Sequence, residues 1–325
     1  MTRSIRLRAF AKINTGLKVL GKRADGFHEI RTVYQTVDLH DRLDISLSPR
    51  PLIAMSCNDP SLPCDRRNLV YRACELWKEE TKFKGGFRIS LTKSIPSGGG
   101  LGGGSSDAAV AILGLERLTG DRLEWAARFK LASTLGSDVP LFLLGGRVLG
   151  CGRGEEVYPL TDLPGRHCLV VHPGFAISTP EAYREVGREA APPFRAAGAG
   201  LKPGATPSSG PKLRYYRKLT SLAKNRRVSG FGVWSQFPLE NWGPAENDFE
   251  KFVFAKWPEL GRIKDQFIRA GAETASLTGS GSAIYAIFVS ARQLNQALRL
   301  VEPGWGVFRT HTQNRTEYHR RLFVT

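Results

Sequence analysis

The chain has 325 residues, enough for one large domain or two ordinary ones, and its 41% hydrophobic and 24% charged content is globular rather than disordered. No stretch approaches the roughly 20 apolar residues of a membrane span, and no apolar segment of signal-peptide length follows the basic opening MTRSIRLRAFAKIN, so a cytoplasmic chain with no membrane partner is expected. A net charge of +17 points to anionic partners, either nucleic acid or small nucleotides, without choosing between them.

In chain order, residues 5–20 alternate as a strand, and Ala24-Asp25-Gly26 reads as a turn. His28 to Leu39 reads as a second strand and Leu43 to Leu47 as a third. Leu69, Ala73, Leu76 and Trp77 fall at helical spacing within Asn68 to Lys78. Phe87 to Leu91 alternates as a strand, a glycine-rich loop follows, and helices are expected from about Ser106 to Leu118 and near Leu123 to Ser133. The chain up to about 160 is thus mixed α and β.

The stretch from about 190 to 235 differs. It opens rich in Pro, Gly, Ala and Ser, the composition of a flexible segment. A basic amphipathic helix is expected next, with Leu213, Tyr216, Leu219 and Leu222 on one face among Arg214, Arg217, Lys218, Lys224, Arg226 and Arg227. Beyond it come a helix that pauses before Pro258, a helix at 259–270, a strand at Thr274–Leu277, a Gly-Ser-Gly turn, and a strand at 283–288. The five cysteines are Cys57, Cys64, Cys74, Cys151 and Cys168; an odd number without a C-x-x-C pair fits neither a zinc site nor a disulfide framework, and no metal-ligand set is read.

The strongest chemical signal is Pro96-Ser97-Gly98-Gly99-Gly100-Leu101-Gly102-Gly103-Gly104-Ser105-Ser106-Asp107, running from a strand into a helix. Glycines let backbone N–H groups approach an oxyanion, and a helix N-terminus adds unpaired donors and a favourable dipole. Ser105 and Ser106 can offer hydroxyls to phosphate or Mg²⁺. The loop lacks the Gly-Lys-Ser/Thr ending of a Walker A motif and the downstream acid of a dinucleotide fold.

Pro96 to Ala109 resembles the phosphate-binding motif of GHMP kinases. Ala11-Lys12-Ile13-Asn14 near the start and Thr278-Gly279-Ser280-Gly281-Ser282 near the end match two further motifs of that superfamily, in the same order. Within it, the run from Gly21 through Phe27-His28 to Ile30, then Gly136-Ser137-Asp138-Val139-Pro140 and Gly152-Arg153-Gly154-Glu155, are similar to the diphosphocytidyl-methylerythritol kinases. That family moves the γ-phosphoryl group of ATP to the tertiary 2-hydroxyl of a cytidine-diphosphate-linked methylerythritol, a step of non-mevalonate isoprenoid synthesis.

The resemblance implies a two-domain α/β fold: a ribosomal-protein-S5-like, ATP-binding domain over 1–160, and a C-terminal domain over 161–310 carrying the basic insertion at about 190–235. A C-terminal tail, 311–325, can pack on the first domain. ATP is the implied cosubstrate and Mg²⁺ the implied ion. Asp138 is implied as the base, with Lys12 as its partner; by residue type alone Asp138 also reads as a helix cap and Lys12 as a strand-end lysine. The glycine loop, Asn68 and Lys93 are implied at ATP. Asn14, Phe27, His28, Thr179 and Tyr183 are implied at the acceptor, Phe27 and Tyr183 sandwiching cytosine and His28 reading its edge. Gly279, Ser280 and Gly281 are implied beside phosphates and acceptor. Another GHMP kinase, acting on homoserine or a phosphomevalonate, is the rival enzyme. Nucleic acid binding is the rival of a different class, expected at most through the basic insertion.

Overall fold

The computed structural model describes residues 3–189 and 246–324; the expected flexible segment and basic helix lie outside them. Two long strands, β1 (Ser4–Lys22) and β2 (His28–Ser48), form an antiparallel ladder. Three register shifts interrupt it, and the first two bracket Ala11 to Asn14. Bulges of this kind re-aim side chains locally. The expected break between a second and a third strand is absent, because β2 runs through His40-Asp41-Arg42. Asp41 can sit in mid-strand, fully buried, because a lysine and two backbone amides from another part of the chain take up its charge.

β3 (Ile53–Cys57) lies parallel to β4 (Gly86–Thr92), and β4 pairs with the distal half of β2. β5 (Arg147–Cys151) pairs with the other half of β2, and β6 (Glu156–Pro159) pairs with β5. Against this sheet pack α1 (Leu69–Thr81), α2 (Gly103–Thr119), α3 (Trp125–Leu135) and α4 (Val139–Leu144). Leu7, Leu43, Ile45, Phe87 and Ile89 from the strands are buried with Val70, Trp77, Val110, Leu115 and Phe142 from the helices.

The second sheet has the order β10-β7-β9-β8 and is antiparallel throughout: β7 (His167–His172), β8 (Thr274–Leu277), β9 (Ile284–Phe288), β10 (Gly306–His311). With it pack α5 (Thr179–Glu189), α6 (Glu250–Lys256), α7 (Pro258–Arg269) and α8 (Ala291–Leu298). Helix α6 stops at Pro258, which opens α7, as its missing N–H and fixed φ favour. Leu17, Val19 and Ile30 of the β1–β2 hairpin join this second core, so the hairpin spans both halves. Ala11, Ile13, Val37, Leu101, Val170 and Tyr285 form an apolar seam between them.

The chain returns to its beginning at the end. Helix α9 (Arg315–Leu322) buries Tyr318 in the first core, where its hydroxyl donates to the Phe142 carbonyl at 2.6 Å. β11 (Phe323–Val324) then pairs with Leu7 and Arg6 on the edge of β1.

Candidate active site

Lys12 and Asn14 are two apart on β1, so their side chains share a face. Both are buried, at 3% and 2% exposure, in the bracketed stretch of the strand. Lys12 Nζ donates to Asn14 Oδ1 at 2.7 Å, and Asn14 Nδ2 donates to Thr32 Oγ1 at 2.7 Å. Tyr34, opposite Asn14 on β2, places its ring 5.4 Å from the same ammonium.

Asp138 meets this face from the other side. It stands at the N-cap of α4, yet its side chain makes no cap bond. Its Oδ2 lies 3.4 Å from Lys12 Nζ, and its Oδ1 accepts from Tyr34 OH at 2.9 Å. Burial, then the Asp138 charge, hold the Tyr34 phenol well above its ordinary range, so it stays a neutral donor. All six residues of α4 are buried, which fixes the carboxylate without consuming it. The carboxylate itself is partly open to solvent. This disposition suits a proton acceptor better than a helix cap.

The glycine-rich loop lies directly over Lys12. The Lys12 amide donates to the Leu101 carbonyl at 2.9 Å. Gly100 has φ of +75°, and a Cβ there would stand 2.0 Å from the Thr278 carbonyl oxygen. Thr278 Oγ1 lies 3.1 Å from Gly100 O and 3.2 Å from Asn14 Oδ1, so the Thr-Gly-Ser-Gly turn, the glycine loop and β1 converge. Pro96, Gly98, Gly99, Gly100, Leu101 and Gly102 form the loop, and Gly102, at φ +72°, is the N-cap of α2. The helix begins at Gly103, three residues before its expected start at Ser106. Gly103 and Gly104 therefore belong to its first turn, with ordinary negative φ, and two of the free N–H groups of that turn are presented by residues without side chains. Ser105 is half-buried; Ser106 is fully buried, and its Oγ has no partner among the described residues.

Lys93 and Asn68 differ in what they do. Asn68 caps α1: its Oδ1 accepts from the Val70 amide at 2.9 Å and its Nδ2 donates to Pro63 O at 2.8 Å. Lys93 is mostly buried beneath the first turn of α2, paired with Asp41 and, at 2.7 Å, with Asp107. A Cβ on Gly103 would sit 3.1 Å from its Nζ. Burial alone would depress the Lys93 ammonium, but the two carboxylates outweigh it and hold it above its ordinary value. Burial, with Asp41 adding, pushes the Asp107 carboxyl up to about 8 against the pull of Lys93. Two acids and one base out of water favour retention of a proton.

Beyond the tip of the β1–β2 hairpin, His28 stacks on Tyr183, with ring centroids 5.1 Å apart and planes 23° apart. Tyr183 also meets Phe249 edge-on at 4.8 Å. Phe27, at the hairpin tip, is 53% exposed, and the Arg153 guanidinium lies 4.7 Å from its ring centre. The turn that carries Arg153 is tied to the hairpin through the Gly152 amide, which donates to Glu29 at 3.2 Å. Its Gly154 runs past Asp138: a Cβ there would lie 3.8 Å from Asp138 Oδ1. Thr179, at the start of α5, bonds to Ser280 Oγ at 2.9 Å. Gly279 comes within 3.6 Å of Lys12 Nζ, measured from a Cβ built on it.

Comparison with known proteins shows the family. Residues 68–146 match the GHMP kinases N terminal domain, and residues 238–302 match the GHMP kinases C terminal domain. The 4-diphosphocytidyl-2-C-methyl-D-erythritol kinase of Solibacter usitatus is 40% identical over 302 residues, covering 92% of this chain and 86% of the relative. The enzyme of the same name from Heliobacterium modesticaldum is 36% identical, covering 93% and 92%. The chain belongs to the 4-diphosphocytidyl-2-C-methyl-D-erythritol kinase family of GHMP kinases. A crystal structure of 4-(cytidine 5'-diphospho)-2C-methyl-D-erythritol kinase superposes with a TM-score of 0.69 at 30% identity, covering 95% of this chain and all of that one. Homoserine kinase from Cytophaga hutchinsonii, at 19% identity and a TM-score of 0.61, shares the fold. As a GHMP kinase the protein is a small-molecule phosphotransferase that takes ATP as donor. Among the described residues no helix is long and apolar enough to cross a membrane.

In this kinase, several residues that build the site were not singled out from sequence. Tyr34 and Thr278 hold the carboxylate and the loops, and Asp41 and Asp107 hold Lys93. Asn247 donates to the carbonyls of Leu277 and Gly279 at 2.8 and 2.9 Å, which fixes the Gly-Ser-Gly turn. Asp107 and Thr278 carried a signal, since the one ends the glycine motif and the other opens the Thr-Gly-Ser-Gly motif; the rest are polar residues within strands or before a helix, indistinguishable locally from surface positions.

Proposed function

We propose that this chain phosphorylates the 2-hydroxyl of 4-diphosphocytidyl-2-C-methyl-D-erythritol with ATP, for non-mevalonate isoprenoid precursor synthesis, using Asp138 as base and Lys12 as its charged partner. The observation that carries the reading is the Lys12–Asp138 pair, 3.4 Å apart, on a lysine whose own amide is bonded to the glycine-rich loop. A triphosphate held over α2 would present its γ-phosphorus near that pair. The acceptor oxygen forms the new P–O bond as the bond to the β-phosphate oxygen breaks and ADP leaves. The hydroxyl proton passes to Asp138. Lys12 offsets charge on the phosphoryl oxygens, and such positioning and neutralisation make up most of phosphoryl-transfer catalysis.

Pro96, Gly98 through Gly104, Ser105 and Ser106 are read as the phosphate cradle. Asn68 is assigned to the nucleotide base from the start of α1, which it caps, and Lys93 from beneath the first turn of α2. For Mg²⁺ the fit rests on Ser106 Oγ, buried and unpartnered, beside Ser105. Among the described residues no group of three or more His, Cys, Asp or Glu side chains could hold a metal, so phosphate oxygens, serine hydroxyls and water would supply its ligands. Bound there, the ion neutralises the transferring phosphates.

Asn14, Phe27, His28, Thr179, Tyr183, Gly279, Ser280 and Gly281 are assigned to the acceptor. Tyr183 stacks on His28 in the structure, and Phe27 lies exposed beside Arg153, so cytosine binding would bring the Phe27 face toward Tyr183. The domain division at about 160, with 311–325 returning to the first domain, and a cytoplasmic setting with five free thiols belong to the same reading. Purified protein with ATP, Mg²⁺ and a panel of acceptors tests it. The cytidine-diphosphate acceptor should drive ADP release, with homoserine and phosphomevalonate at background; ADP release with either of those instead would replace the assignment.

A further inference from the structure

On the side of the first domain away from the glycine loop, α2, α3, α4, α9 and β11 surround an open cleft of about 460 Å³. Its floor is apolar: Leu113, Trp125, Leu143, Leu322 and Phe323 line it. Its rim is cationic. Arg117 and Arg122 are exposed there, and no carboxylate among the described residues pairs with either. The one acid in the lining, Glu116, is already taken: Arg128 holds it with two bonds of 2.9 and 2.7 Å, and the Leu123 amide adds a third at 3.1 Å. The cleft is therefore net positive, with two free guanidinium groups above an apolar bed.

We infer that this cleft binds a small amphiphilic anion, an apolar chain carrying a phosphate head group, and that its occupancy is felt at the kinase site. The volume falls in the range of small-molecule sites, roughly 300–1,000 Å³, and an apolar lining with a few convergent polar groups is their usual make-up. The guanidinium groups match a phosphate in geometry and charge. The apolar floor sets the other half of the ligand, since a bare anion would leave it wet and an uncharged chain would leave the arginines unused.

The coupling follows from which elements form the walls. Helix α2 lines the cleft with Leu113 and Arg117 and begins at the glycine loop. Helix α4 lines it with Leu143 and carries Asp138 at its N-cap. β11 lines it with Phe323 and pairs with β1, the strand of Lys12. A ligand wedged among these three elements contacts the far end of every part that sets the pair and the loop. This second half rests on the proposed kinase activity; the binding half does not.

The experiment uses the intact chain, octyl phosphate below its micellar concentration, and calorimetry in the presence of saturating ATP to block the phosphate loop. Saturable one-to-one binding is expected, with octanol and inorganic phosphate each at least about tenfold weaker. Arg117→Gln with Arg122→Gln should weaken it at least about tenfold while the melting temperature falls by no more than a few degrees, because both side chains are exposed. Equal affinity in the double variant, no binding to wild type, or displacement by ATP would overturn the site. With the kinase assay running, octyl phosphate should change kcat or the KM for ATP of wild type by at least about twofold and leave the double variant unaffected. Binding without any change in turnover would overturn the coupling. A chain that binds octyl phosphate through the arginines but phosphorylates no acceptor would overturn the kinase reading and leave the cleft assignment standing.

Discussion

Asp138 caps a helix with its backbone alone and leaves its carboxylate to Lys12, 3.4 Å away. A residue in that position ordinarily bonds the first free amides of its own helix. Here those bonds are forgone, and the two oxygens go to the lysine and to Tyr34. Asp138→Ala should therefore lower kcat about 10²–10⁴-fold with ATP affinity nearly unchanged, and with little of the stability loss that removal of a working cap brings. Steady-state kinetics, ATP calorimetry and a melting curve on one preparation check all three; a mutant within about threefold of wild type in kcat removes Asp138 from the chemistry.

The glycines of the loop should not be equivalent. Gly100→Ala forces a side chain into the left-handed region and against the Thr278 carbonyl, 2.0 Å from the new Cβ. ATP binding should fall at least about tenfold, since the loop and the Thr278 turn must separate. Gly104→Ala adds a Cβ with nothing nearer than Leu69 Cδ1 at 3.8 Å, in helical backbone, and should keep the nucleotide within about threefold. Calorimetry with ATP on both mutants separates the positions, and equal losses would mean that the close approach of Gly100 is not what the loop requires.

The buried Lys93 cluster makes stability depend on pH. The Asp107 carboxyl, ordinarily at 3.8, is raised to about 8 in the folded chain. Between those values the folded state holds a proton that the unfolded state has lost. Stability should therefore fall as pH climbs from about 4 toward 8, with a slope of at most about 1.4 kcal/mol per pH unit for one proton. Asp107→Asn keeps an oxygen for Lys93 and removes the excess negative charge, so it should flatten that slope. Urea unfolding at pH 5, 6, 7 and 8 reads the difference, and parallel curves for the two proteins would place the proton elsewhere.

Acceptor binding should depend on the aromatic faces. Phe27→Ala or Tyr183→Ala should weaken the cytidine-diphosphate acceptor about 5–150-fold, from roughly 1–3 kcal/mol per stacked base. Phe27→Tyr should be nearly neutral because the ring face survives. His28→Ala removes the ring on which Tyr183 rests and should raise the acceptor KM as well. Methylerythritol phosphate, which lacks the nucleoside, is the decisive comparison. A kcat/KM for it equal to that of the full acceptor would remove cytosine from recognition.

Much of the chain was legible where periodicity and punctuation are local. The first helix, strand β4, strand β8 and the stop before Pro258 lie within a few residues of the pattern that announced them. The glycine motif and the Gly-Ser-Gly segment were legible as tight loops, because the positive φ of Gly98, Gly100, Gly102, Gly279 and Gly281 favours glycine. What failed did so through partners distant in sequence. Asp41 read as a break between strands because a charge in mid-strand is costly alone; Lys93, 52 residues later, makes it tolerable. The cap role of Asn68 was readable from its place before Leu69-Val70, while the buried station of Lys93 was not. Nor could spacing show that His28 lies on Tyr183, since 155 residues separate them and the contact depends on how the two sheets meet.

The pairing of β11 with β1 reaches into how the protein is made. On the ribosome, the strand that bears Lys12 emerges long before β11, which pairs with its edge. Until then β1 shows an unpaired edge at Arg6 and Leu7, and the space that Tyr318 and Leu322 fill in the first core stands open. Such an edge is a template for wrong pairing, and contacts between residues so far apart in sequence are slow to form. The first sheet and its core are thus finished only once α9 and β11 have been made, which leaves a nascent chain stalled before α9 with that core incomplete.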